Sequence, residues 1–151
     1  MDANRLNLPI KNISASDGLA TRTPGVGVFL PLADCPGVVI YDPHQRILMV
    51  VHAGRHNLEQ DGLVKAVEFL TGLGSQPRDL TAWISPTAGA ENYPVEAFGG
   101  QGLLQIATNQ LAKAGVSKIA YDETDTTTSE KYYSHSQGDH DKRFAIVAYI
   151  K

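Results

Sequence analysis

The chain has 151 residues, 42% of them hydrophobic and 19% charged, the size and composition of one ordinary globular domain with little room for a second. Thirteen Lys and Arg against sixteen Asp and Glu leave a formal charge of -3. With no block of like charges, this argues against a nucleic-acid or anionic-membrane partner held by general electrostatics. A single cysteine excludes an internal disulfide, and no charged start followed by an apolar run marks a leader or a span, so a soluble, cytoplasmic protein is expected. A chain of this length buries roughly 70% of the surface that its unfolded form exposes, so its core needs no metal staple.

Residues 1 to 15 place Leu6, Leu8 and Ile10 at spacing two, which suggests one short edge strand. From Gly25 an apolar run leads through Val28 and Leu30 to Pro31, followed by GVVIYD, a turn, and RILMVVHAG. These unalternated β-branched runs are strands covered on both faces. Leu63, Val67 and Leu70 fall on one helical face between Leu58 and Leu73, so one amphipathic helix is expected there, stopped by Gly72 and Gly74. LTAWIS (80 to 85) reads as a strand entering the loop PTAGAENYP. A second helix runs from Gln101 to Ala114 with Gly115 as its stop, and Ser117 to Tyr121 is a short strand. DETDTTTSE is a loop, and KYYSHS, QGDHDK and RFAIVAYI read as strand, connection and closing strand.

The residues with reactive chemistry are Cys35, before the first hairpin strand, and His52, at the end of the second. Asp42-Pro43-His44-Gln45 has the residue preferences of a type I turn. A loop symmetric about the Pro43–His44 bond sets Tyr41 opposite Arg46, Val39 opposite Leu48, Gly37 opposite Val50 and Cys35 opposite His52. Opposed Cβ atoms lie about 4.5 to 5.5 Å apart, which suits a thiol–imidazole pair or two ligands of one metal ion. Taken alone, Cys35 is a small buried hydrophobe and His52 a hydrogen-bonded core histidine. Their opposition, and the strand-breaking Pro36-Gly37 beside the thiol, weigh against both readings.

TRTPGVGVFLPLADC, VVIYDP, VVHAG, SPTAGAENYPVE, NQLAKAGV and YYSHSQGDHDKRFAIVAYI, in this order, resemble the YfiH-type laccase-domain family, also called the multicopper polyphenol oxidoreductase family, over about residues 16 to 150. The resemblance implies an α+β fold, a mixed β-sandwich flanked by helices, shared with cysteine hydrolases and glutamine deamidases that use a Cys and a His. It also implies zinc-binding enzymes that phosphorolyse purine nucleosides and deaminate adenosine. Cys35 matches the family's cysteine ligand and His52 its second histidine ligand. The first, in a Gln-Val-His-Gly motif, has no counterpart among residues 1 to 16, so the chain reads as a single domain, 1 to 151, lacking that N-terminal motif. The family's Trp-Arg-Gly is altered: Arg55 stands for its arginine or its tryptophan, with His56 next. Glu91-Asn92 replace a Cys-Cys pair before Tyr93, and Tyr133-Ser134-His135-Ser136 occupy the aromatic-Ser-Tyr-Arg segment.

The resemblance thus supplies two of the three ligands that a catalytic zinc needs, so zinc is expected to be weakly held. His56 or Glu91 is the candidate replacement, with His135, His140 and Asp34 further donors. His44, at the far turn of the hairpin, is a solvated residue. The expected catalytic set is Cys35, His52 and Arg55, whose planar fork suits phosphate. Asp34, Asn92, Tyr93 and His135 are the expected substrate contacts. The expected function is phosphorolysis or deamination of purine nucleosides. Two alternatives stay open: a metal-free Cys-His hydrolase or glutamine deamidase, and a non-catalytic shortened relative that keeps the fold for binding. Copper oxidase chemistry is discounted, since five scattered histidines cannot build several copper centres. An open site leaves room for a symmetric dimer.

Overall fold

The β-branched hairpin becomes the centre of a sheet. In the computed structural model, which describes residues 16–151, β3 (Gly37–Asp42) and β4 (Ile47–His52) pair antiparallel at the middle of five strands in the order β1-β4-β3-β5-β6. The flanking strands are β1 (Gly18–Thr21), β5 (Thr81–Ile84) and β6 (Lys118–Tyr121). Only β5 and β6 run parallel, so the sheet is mixed. A two-stranded antiparallel ribbon of β2 (Gly27–Leu32) and β7 (Phe144–Tyr149) packs on one face. The helices α2 (Gly62–Gly72) and α3 (Leu103–Lys113) cover the other. The edge strand expected among residues 1 to 15 lies outside the described residues. No helix among the described residues is long and apolar enough to cross a membrane.

Alternation sorts the hairpin between two cores. Val38, Ile40, Met49 and Val51 point to the helices and meet Leu63, Val67, Leu70, Ile106 and Leu111. Val50 turns the other way and meets Val28, Leu32 and Ile146 of the ribbon, with Val39 at its margin. Burial of each such side chain contributes about 1.5–3 kcal/mol, and covering on both faces is why the strands carry no polar alternation. Gly37 lies where the ribbon comes closest: a Cβ there would sit 2.6 Å from Ile146 Cδ1 and 2.8 Å from Leu32 Cδ1. The α3 helix ends as expected at Gly115, whose φ of 92° lets the Val116 amide donate back to the Leu111 carbonyl.

Four expectations need correction. The hairpin connection is centred on the His44–Gln45 bond: Asp42 pairs with Ile47 and Gly37 with His52. The Asp42 carboxylate accepts the His44 and Gln45 amides and Arg46 takes φ 50°, extending the turn to four residues. Pro31 does not end its strand but sits inside β2, an edge strand whose free side tolerates a missing amide. The helix expected from Leu58 is two: α1 (Arg55–Glu59) and α2, separated by Asp61 at φ 56°. KYYSHS is a series of bends and turns, because its backbone is drawn off to Asp34 and to its own Asp139.

Candidate functional site

A shift of two residues in register moves Cys35 along the strand but not to the other face. The Ala53 amide donates to the Pro36 carbonyl at 2.9 Å, extending the ladder one step past Gly37–His52. This brings Cys35 level with Gly54, diagonal to His52. A Cβ built on Gly54 would lie 3.3 Å from Cys35 Sγ, 3.0 Å from His52 Cε1 and 3.4 Å from His52 Nε2. Sulfur and imidazole therefore converge on the one residue that has no side chain between them. The two groups are half-buried, and the His52 amide is anchored to the Asp17 carbonyl at 2.7 Å.

Gly54 also caps α1, so the chain turns from the end of β4 directly into Arg55. Burial pushes the Cys35 thiol up, and the Asp34 charge adds to this. The Arg55 amide, bonded to the sulfur, and the Arg55 guanidinium pull it down by less. Arg55 is half-exposed, its Nε 3.8 Å from Glu59 Oε1 one helical turn on. Tyr93 approaches from the 86–95 loop, and burial followed by the Cys35 charge pushes its phenol up. An open cleft of about 270 Å³ between β1 and the ribbon has His52, Val50, Asp17 and Leu30 in its walls.

The expected site residues separate into those the fold assembles and those it spreads out. Cys35, His52, Arg55 and Tyr93 form one cluster. Asp34 is 3% exposed with both carboxylate oxygens already bonded, Oδ1 to the Thr126 hydroxyl and Oδ2 to the Ser136 amide, each at 2.8 Å. Burial works to raise its pKa but is outweighed by those bonds and by the Ser134 hydroxyl, which hold the carboxyl below its usual range. Asn92 donates to the Thr127 hydroxyl at 2.9 Å on the surface. Exposed His135 stacks edge-on with His140, ring centroids 4.8 Å apart, and exposed His56 binds Glu59 at 3.3 Å. Glu91 and His44 are exposed. Glu59, which holds both Arg55 and His56, was missed from the sequence. Its i,i+4 spacing from Arg55 is a readable sign once a helix is known to begin at Arg55.

Whether zinc fits can be tested on the donor set. Among the described residues no three His, Cys, Asp or Glu side chains come together as a metal cluster. Cys35 and His52 offer one sulfur and one nitrogen, short of the three protein ligands of a catalytic zinc, so the residues present do not fit the ion as a complete site. Gly54→Ala probes the pair itself. Its backbone, φ -66° and ψ 168°, is ordinary for alanine, so the change acts through the added methyl, which must push sulfur or imidazole aside. The rate of Cys35 alkylation by iodoacetamide is expected to change about twofold or more, because sulfur or imidazole must give way at contacts of 3.0 to 3.4 Å. The thermal midpoint should stay within about 4 °C.

Residues 2–99 match the family described as multi-copper polyphenol oxidoreductase laccase. A purine nucleoside phosphorylase of Mycobacterium tuberculosis is 29% identical over 156 residues, which cover 90% of this chain and 62% of that protein. The purine nucleoside phosphorylase YlmD of Bacillus subtilis is 30% identical over 109 residues, 68% of this chain and 39% of that one. The crystal structure of YfiH from Bacillus licheniformis superposes with a TM-score of 0.81 at 23% identity, covering 89% of this chain and 61% of that one. The likeness to YfiH shows the α+β fold. The chain spans about 62% of the length of the mycobacterial relative.

Proposed function

Because this chain belongs to the multi-copper polyphenol oxidoreductase laccase family, we propose that it is an enzyme of purine nucleosides and that phosphorolysis is its reaction. The observation that carries this reading is the convergence of Cys35 and His52 on Gly54, with the Arg55 guanidinium one residue further on, in a chain whose relatives are named purine nucleoside phosphorylases. In phosphorolysis a phosphate oxygen attacks C1′ of the ribose and the C1′–N9 bond breaks. The purine leaves with the bonding electrons and takes up a proton, and ribose 1-phosphate remains. Arg55 presents its Nε edge to Glu59, which leaves its two terminal amino groups to hold phosphate oxygens. His52 is the group that passes a proton to the departing base, and the Cys35 thiol, kept protonated by burial, can donate beside it. Tyr93 supplies a flat apolar wall for the base.

Incubation with inosine, guanosine or adenosine is expected to release free base and ribose 1-phosphate in equal amounts, resolved by chromatography, and only when inorganic phosphate is present. Inosine appearing from adenosine would mark deamination. Base release that ignores phosphate, or none at all, sinks the proposal, and the latter leaves a binding module of the same fold. The two-donor set favours a second reading, a metal-free Cys-His amidase in which His52 takes the thiol proton and the Arg55 amide, bonded to the sulfur, steadies the thiolate. Ammonia released from a glutamine-containing peptide would support it.

The same donor set sets the expected metal behaviour. Zinc is expected to bind weakly at Cys35 and His52 and to leave on mild chelation, without a shift in thermal midpoint, because the core does not depend on it. Mass spectrometry for metals on protein before and after chelation reads this. One zinc per chain that survives chelation contradicts it.

A further inference from the structure

Asp34 stands one residue before the thiol and is the most heavily bonded carboxylate of the site. Its Oδ1 accepts the Thr126 hydroxyl and its Oδ2 the Ser136 amide, each at 2.8 Å. Its own carbonyl accepts the Ala88 amide at 2.8 Å and the Thr87 hydroxyl. These four donors come from three separate stretches of chain: the loop after β5, the loop after β6, and the turns before β7. No cation pairs with it among the described residues, so neutral donors alone hold a charge that is 3% exposed. Such a group is costly to bury unless every lone pair is occupied. Its backbone is also turned into the left-handed region, φ 77°, a conformation that favours Gly, Asn and Asp and orders the chain just before Cys35.

We propose that Asp34 is the positioning residue of this site: by tying three loops to the residue before the thiol, it fixes where Cys35 Sγ lies against His52 and Gly54. A substrate contact is a poor role for it, since both oxygens are spent inside the protein. The tie also spaces the surrounding loops from the thiol. Asn92 is bonded to Thr127, next to Thr126, and His135 precedes Ser136, so two of the four expected substrate contacts hang on residues adjoining the Asp34 donors. The identity of the site rests on the reading above, but the positioning does not depend on which substrate it takes.

The test therefore reads the thiol without any nucleoside. Asp34→Asn keeps the size and the preference for positive φ but turns an amide NH₂ toward one of the two donors. Thr126→Val removes one bond, from 92 residues away, without touching the residue beside the thiol, and Thr126→Ser restores the hydroxyl. In the folded protein, iodoacetamide is expected to alkylate Cys35 about tenfold faster in Asp34→Asn, where loss of the carboxylate charge also eases thiolate formation, and several-fold faster in Thr126→Val, where the charge is kept and a loosened Sγ alone acts. Thr126→Ser should stay within about twofold of the parent. If Asp34→Asn does not fold, the Thr126 pair carries the test alone. A lowered thermal midpoint with unchanged alkylation rates in the folded variants overturns the proposal and leaves Asp34 a purely structural carboxylate. A failed phosphorolysis assay leaves the result of this test unaffected.

Discussion

Cys35→Ala is expected to leave purine nucleoside phosphorolysis at background while the protein remains folded. The sulfur is half-buried and lies outside both hydrophobic clusters, so its removal empties little of the core. The thermal midpoint should move by no more than about 4 °C. The reaction, in contrast, loses the group that shares the Gly54 flank with His52 and receives the Arg55 amide. A loss of at least about a thousandfold is expected for a group in contact with the reacting atoms, as for other members of catalytic sets that act as a unit. The measurement is initial rate of base release against thermal midpoint on the same preparation. A variant that unfolds while its soluble fraction keeps its rate would return Cys35 to the role of a packed hydrophobe.

Gln110→Leu is expected to destabilise the protein by about 1–3 kcal/mol, read as a shift in urea midpoint at constant slope. Gln110 is 4% exposed on α3, and its amide closes the break between α1 and α2. Its Nε2 donates to the Leu58 carbonyl at 2.6 Å and its Oε1 accepts the Leu63 amide at 3.2 Å. Leucine fills the same space but leaves the Leu63 amide buried without a partner, at about 1–3 kcal/mol, while the Leu58 carbonyl keeps the Asp61 amide at 3.1 Å. Because α1 begins at Arg55, loosening its C-terminal end should also weaken phosphate use. A change of less than about 0.5 kcal/mol would mean that water reaches the break and replaces the amide.

Local pattern determined much of this protein. The β-branched runs made β3 and β4 central strands because a side chain's exposure to two apolar layers is written in its own sequence. Gly115 ended α3 because positive φ is a property of one residue. The pairing face of Cys35 and His52 was also legible, since a strand's period of two survives an error of two residues in register. Tertiary structure decided the rest. The register itself depended on Asp42 recruiting amides across the turn, and the split between α1 and α2 depended on Gln110, 47 and 52 residues from the groups it satisfies. The helical period of Leu63, Val67 and Leu70 is the same whether one helix or two precedes it. KYYSHS has the composition of a strand, yet it turns away because Asp34, 102 residues back from Ser136, takes its amide. The donors of a metal shell follow the same rule. Spacing along the chain brings Cys35 and His52 together through one hairpin, whereas a third donor has to be delivered by a distant loop, and only the fold shows that Glu91, His56 and His135 are not placed with them.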